Sequence, residues 1–311
     1  MSAFPGSSGK QVVLLDSGNF PGFSNFLNET WTFSGTDWTN QSAGLVNSAG
    51  PLPGRINGAM AFDGTNVMLF GGQGAENSVG VLNDTWVWSG TAWTQKTGVG
   101  FALTGPSNRF GAEAAYLSTI GTGGVMMFGG TNLLYNLLET WLWDGTAQTW
   151  TLLSVANGSS PNARTGHCMA SNGTKAILFG GSGTNSQFND TWSFTMAGGG
   201  TWTKLAVTTP PSIRSGACMA YDIANSQWVM FGGMNEYNYL VETWVLNTGA
   251  TAWTQVSVPA GTGPSGRVGA QMAYDAGSST VVMFGGLAAS DSYASDGTWS
   301  FNGGTLAWTK L

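Results

Sequence analysis

The chain has 311 residues, 10 Lys+Arg against 16 Asp+Glu, a formal net charge of −6 and only 8% charged residues. So few basic residues cannot form the positive surface that phosphate binding needs, and no apolar run approaches the roughly 18 residues of a membrane span; neither nucleic acid nor membrane insertion is expected. The 42% apolar share, with 48 Gly and 15 Trp, is ample for a large core, so low charge does not mean disorder here.

The chain opens on Met-Ser-Ala-Phe-Pro-Gly-Ser-Ser-Gly-Lys, with neither the basic start nor the apolar stretch of a signal peptide. The composition, rich in Gly, Ser, Thr and Asn, is that of a secreted or cell-surface protein, and the two signals conflict. Further along, an apolar run ending in Phe-Gly-Gly recurs. The glycines are Gly71-Gly72, Gly129-Gly130, Gly180-Gly181, Gly232-Gly233 and Gly285-Gly286, at spacings of 58, 51, 52 and 53. A Thr-Trp pair follows each and one more precedes the first, giving Trp31, Trp86, Trp141, Trp192, Trp244 and Trp299. A later Trp-Thr completes each unit, at Trp38, Trp93, Trp150, Trp202, Trp253 and Trp308. The period of about 52 divides the chain into six units.

Each unit holds four short strand-like runs split by Gly, Ser, Asn and Thr, and none has helical periodicity. The first run follows an Arg, the second leads into Gly-Gly, the third carries Thr-Trp and the fourth Trp-Thr. The predicted fold is all-β: a single domain over 1–311, a six-bladed β-propeller of four-stranded blades at about 1–41, 54–96, 106–153, 161–205, 211–256 and 264–311. The first blade is expected to be truncated at its N-terminal strand, leaving a stub at Met1 to Phe4 and making the junction of units six and one the weakest. The Gly pair is expected to need positive φ and close approach of the next blade. The twelve repeating tryptophans are expected to fill the space between blades.

The Gly pair, the downstream Trp and the Arg-x-Gly opening resemble the kelch repeat, over nearly the whole chain. The resemblance implies a kelch β-propeller and says less about activity, since such propellers serve as interaction modules and occasionally as enzymes. Kelch-type copper oxidases use two His and two Tyr at the metal. The one histidine here, His167, cannot supply that, so no metal and no cofactor are expected. A sugar epimerase or mutarotase resembling the bacterial sialic-acid enzyme is the alternative activity, and a structural part of a surface assembly is another. No catalytic residue is assigned, because no unpaired acid or His recurs beside the arginines.

The arginines Arg55, Arg109, Arg164, Arg214 and Arg267 open the first strands, and an acid stands two residues before the third-strand Trp at Glu29, Asp84, Glu139, Asp190 and Glu242. Pairing each acid with the Arg of the next unit leaves none unmatched, so inter-blade ion pairs are expected. The same arginines are candidate ligand-binding residues at the channel mouth. The loops between second and third strands open on that face and add Tyr135, Tyr237, Tyr239 and Tyr293, with Phe20, Phe23, Leu133 and Leu134. The expected function is non-enzymatic binding of a protein, an acidic peptide or a glycan. His167 is expected to be a hydrogen-bonded first-strand residue, Cys168 and Cys218 to be unbridged thiols, and Glu113 to be the best candidate for a perturbed pKa.

Overall fold

The computed structural model describes residues 2–5, 11–16, 28–42, 52–74, 80–97, 105–119, 123–155, 158–236, 238–249, 252–288 and 297–311. Each repeat unit folds as one antiparallel meander. In the third, Glu113–Leu117 pairs with Gly124–Phe128, which pairs with Thr140–Asp144, which pairs with Thr149–Leu153. Side chains alternate between the two faces of such a sheet, so each blade offers an apolar face to each neighbour. Ala114, Met127 and Trp143 pack towards the second unit, while Ala115, Met126 and Phe128 pack towards the fourth. The first strands lie innermost, in contact with one another around an axis. The protein is a β-propeller.

Five sheets have four strands each, where six four-stranded blades were expected. The sheet of the second unit has five, because Arg55–Ile56 pairs with the far end of Val67–Gly74, beyond the Gly pair, while Ala59–Phe62 pairs with its near end. A register shift between Phe70 and Gly72 divides the two ladders. Elsewhere the same contact is a single bridge, as at Thr165 and Ser182, or a separate two-stranded sheet, Arg267–Val268 with Leu287–Ala288.

The expected truncation of the first blade is also corrected. Ser2–Pro5 is a four-residue strand in full register with Gln11–Asp16, from Ser2 opposite Leu14 to Pro5 opposite Gln11. Ala59–Phe62 and Cys168–Ser171 are no longer. Truncation was expected because Ala3-Phe4 matches Ala61-Phe62 so close to the first residue, but the strand needs only the four residues Ser2–Pro5.

Contacts between units follow one rule. The indole of Trp150 donates to Thr85 Oγ1 of the preceding unit at 2.9 Å, and its ring meets Phe70 edge-on at 5.4 Å. Trp202 does the same to Thr140 and Phe128, Trp253 to Thr191 and Phe179, and Trp308 to Thr243 and Phe231. Trp93 donates to Thr30, and Trp38 donates back to Thr298 at 2.9 Å while packing on Phe284. The first and last units are therefore joined by the same Trp–Thr and Trp–Phe contact as the others. The fourth-strand tryptophans fill the space between sheets as expected, whereas five of the six third-strand ones are only half-buried.

Candidate interaction face

One end of the propeller gathers the arginines, the Gly pairs, the acids and the loops between second and third strands. Each Arg enters on an extended segment and turns its guanidinium into its own unit. In the fourth unit, Arg164 Nε donates to Asn162 O at 3.0 Å, Nη1 to Gly180 O at 2.7 Å, and Nη1 and Nη2 to the two oxygens of Asp190 at 2.6 and 3.0 Å. Phe188 lies 4.1 Å from the guanidinium carbon. Arg55 grips Asp84 in the same bidentate way. Arg109 reaches Glu139 at 2.6 Å and Arg214 reaches Glu242 at 2.6 Å, each through Nη2. The shorter Asp takes both Nη atoms of the fork, whereas the longer Glu takes one bond from Nη2.

These pairs lie within the unit that begins at the Arg, so the expected inter-blade pairing is overturned. The reason is geometric: the first and third strands of one sheet are only one strand apart, and the acid is already held by its own Trp. Trp31, Trp86, Trp141, Trp192 and Trp244 each donate Nε1 to the acid two residues earlier, at 2.6–2.9 Å. Burial raises the carboxyl pKa values of Glu139, Asp190 and Glu242, but the hydrogen bonds from Arg and Trp outweigh it and leave all three below the usual range. Arg267 donates to Ser265 O, Ser265 Oγ and Gly285 O, and the acid slot of its unit is Gly297.

The five arginines are at most 4% exposed. As placed, they fasten the Gly turn to the third strand and do not present free guanidinium forks to a ligand. The Gly pair carries the link to the next unit. Gly180 and Gly181 have φ of 67° and 95°. A Cβ on Gly180 would stand 2.7 Å from Arg214 O, and Gly181 N–H donates to that same carbonyl at 2.8 Å. Positive φ and close approach are both realised, as the sequence predicts.

Of the tyrosines, Tyr135 is exposed and Tyr239 half-buried, while Tyr237 and Tyr293 lie outside the described residues, as do Phe20 and Phe23. Leu133 and Leu134 are 65% and 85% exposed. Sequence reasoning found these loops but not the turn from Asn132 to Tyr135 that holds Leu133 in a left-handed conformation.

Deeper inside, Glu113, Cys168, Cys218 and Gln271 occupy one register layer of the innermost strands, each opposite the Phe that precedes a Gly pair. Solvent still reaches Glu113, yet enough protein surrounds it that desolvation raises its carboxyl pKa to about 7. The two cysteines are unbridged and buried; burial pushes the Cys218 thiol up to about 12 and Cys168 well above its ordinary value. His167 is 1% exposed with neither ring nitrogen hydrogen-bonded, against the expectation of a satisfied residue. It stands on Phe128 at 5.7 Å in a slot that Ala112, Ala217 and Ala270 fill elsewhere. Burial first, then the nearby Arg164, lowers its pKa to about 3. Among the described residues no group of three or more His, Cys, Asp or Glu is placed to hold a metal ion.

The KLHDC2/KLHL20/DRC7 Kelch-repeats domain model matches residues 17–181 and 93–273. The chain belongs to the kelch-repeat family. Among curated proteins, this kelch chain is 29% identical to the rat Multiple epidermal growth factor-like domains protein 8 over 239 residues, 73% of this chain and 8% of that protein. It is 31% identical to Adagio protein 3 of Arabidopsis thaliana over 150 residues, covering 47% and 23%. It is 32% identical to the tRNA wybutosine-synthesizing protein 4 of Emericella nidulans over 142 residues, covering 42% and 12%. The kelch chain thus spans less than a quarter of the length of each of these relatives.

Proposed function

We propose that the protein is a non-enzymatic binding module: a closed ring of six blades, counting the five-stranded sheet as one, that holds a protein, peptide or glycan partner on its loop face. The observation that carries this is the division of labour at that face. The ionic groups beneath are occupied by one another, while the loops above present exposed side chains that the fold does not use. Substrate chemistry would need a free acid, base or cation at the mouth, and the repeating candidates are spent on Arg–acid–Trp clusters. The circle of Trp-to-Thr bonds, returning from Trp38 to Thr298, supports the ring of six. The small share of each relative that the kelch stretch occupies suits a module attached to other functions.

Hydrogen-exchange footprints of ligands selected in parallel from a glycan array and from a display library of folded binding domains test the reading. Protection should fall on 131–138, 182–188 and 234–240. Footprints confined to the opposite face, or sugar epimerisation above the buffer rate, would overturn it.

A further inference from the structure

The first unit is the exception to the occupied clusters of the loop face. Its acid, Glu29, is half-buried, and its Oε2 accepts from Trp31 Nε1 at 2.9 Å, the distance at which Glu139 and Glu242 accept from their own tryptophans. Those two carboxylates also take an Arg. Glu29 has none to take, because the five arginines open units two to six. Among the described residues it makes no ion pair.

The same unit interrupts a belt of backbone hydrogen bonds. Two residues after each Arg stands a residue of positive φ: Asn57 at 54°, Gly111 at 64°, Gly166 at 61°, Gly216 at 65° and Gly269 at 72°. Gly111 N–H donates to Asn57 O at 2.9 Å, Gly166 to Gly111 at 3.1 Å, Gly216 to Gly166 at 2.7 Å and Gly269 to Gly216 at 2.8 Å. The belt ends at the two neighbours of the first unit. Among the described residues, Asn57 N–H and Gly269 O have no partner. Asn57 and Gly269 are exposed, whereas Gly111, Gly166 and Gly216 are half-buried. A Cβ on Gly111 would strike Thr165, and one on Gly216 would strike Val268, so the residue after the Arg covers the belt of the preceding unit. Over Gly269 the same position is open.

A third contact stops at the same place. The second glycine of each pair donates to the carbonyl of the next Arg, Gly72 to Arg109, Gly130 to Arg164, Gly181 to Arg214 and Gly233 to Arg267, at 2.8–2.9 Å. In the sixth unit, Gly286 N–H has no such partner among the described residues. Gly286 is half-buried where the other four are buried.

We infer that the first unit binds an Arg-x-Gly segment of a partner protein, seated between units six and two. The guanidinium pairs with Glu29, and the Arg carbonyl accepts from Gly286 N–H. The side chain of x lies over Gly269. The Gly of the segment donates its N–H to Gly269 O and accepts from Asn57 N–H. Each contact copies one that the chain makes with itself elsewhere in the ring. The chemistry names the occupant: a carboxylate oriented by an indole calls for a guanidinium, unpaired main-chain groups call for a main chain, and the positive φ of the belt calls for glycine. The site lies apart from the loops 131–138, 182–188 and 234–240 of units three to five, goes beyond their reading as a partner surface and does not depend on it.

The test uses the full chain and the amidated hexapeptide Pro-Ser-Gly-Arg-Val-Gly, a copy of residues 264–269, carrying fluorescein at its N-terminal end. Anisotropy should show saturable binding that weakens with salt. E29Q should lower the affinity about tenfold or more, as should citrulline in place of the peptide's Arg. L-alanine in place of the last Gly should cost about as much, while D-alanine, which favours positive φ, should not. T184A/N185A, on the far side of the ring, should bind as the native chain does. Bound peptide should slow amide exchange at Asn57 and Gly286 and leave Gly111 and Gly233 unchanged. No saturable binding at millimolar peptide overturns the site, and so does binding that ignores E29Q or treats the two alanines alike. The peptide arms leave the protein unaltered, so they decide the matter even if E29Q fails to fold. Any of these failures leaves the footprints expected on the three loops untouched.

Discussion

The two sets of tryptophans recur with the same period, yet they do different work. The fourth-strand set lies between sheets, donates to a buried Thr of the preceding unit and packs on its Phe; apart from the half-buried Trp38, these rings are at most 7% exposed. The third-strand set lies on the same face of its sheet, nearer the loop end, and keeps one flank in solvent apart from the buried Trp86; all but Trp299, whose slot holds Gly297, donate to the acid of their own unit. Recurrence in a sequence therefore marks a structural position without telling whether that position joins units or completes one. Joining positions carry cooperativity, and completing positions carry the shape of one blade.

This contrast can be broken by mutation. Trp253→Ala should cost about 3–5 kcal/mol, the range for large aromatic truncation in a core. Trp244→Ala, half-exposed, should cost clearly less, about 1–2 kcal/mol. Equal losses in denaturant melts would erase the distinction. Arg164→Met removes the donor of Gly180 O and leaves Asp190 with only the Trp192 indole, and should cost about 3 kcal/mol, towards the low end for a broken buried pair because Asp190 is partly solvated.

Next in size is the direction of the ion pairs. A double-mutant cycle of Glu139→Gln with Arg109→Met should return a coupling of about 0.5 kcal/mol or more, and the cycle with Arg164→Met should return none. Coupling to Arg164 would restore the inter-blade pairing and overturn the one seen here.

The pH dependence is smallest in the native chain, because two opposing groups set it. His167 binds its proton at about 3 in the folded chain against 6.5 for the free side chain, so between these values the unfolded state holds more protons and stability rises with pH. Glu113 has the opposite sign: its folded value is about 7 against 4.5, the folded state holds the extra proton, and stability falls as pH rises between them. From 4.5 to 6.5 the two oppose each other. Denaturation midpoints of the native chain should vary little there, while H167A should lose stability with rising pH and E113Q should gain it. Parallel profiles for all three would show that neither group is held as described.

Much of the fold was legible because its signals are local and repeated. The Phe-Gly-Gly ending, the positive φ of the pair and the contact with the next unit follow from what only glycine allows at such a turn. The partnership of Arg164 was not legible. Charge counting favoured the next unit, but the deciding facts are that Asp190 is already oriented by Trp192 and that first and third strands are separated by a single strand. The five-stranded sheet escaped notice because it depends on a register shift at Gly71, which composition does not reveal. For the site, the loops and Leu133 and Leu134 could be read from the sequence as lacking a core role. The strain at Leu133 could not, since its φ is set by hydrogen bonds to Thr131 and Asn132. His167 was misjudged because a satisfied and an orphaned imidazole look alike in a string of letters.

The return bond from Trp38 to Thr298 has a consequence for chain connectivity. It is the only link in the circle of tryptophan contacts that no short peptide connection reinforces, and it has the same geometry as those that are reinforced. The order in which the units are strung is thus separable from the order in which they pack. A circular permutant with Leu311 joined to Met1 by a flexible linker and new ends opened between units three and four, near residue 157, should fold to the same ring, with the Trp202–Thr140 contact taking over as the non-covalent clasp.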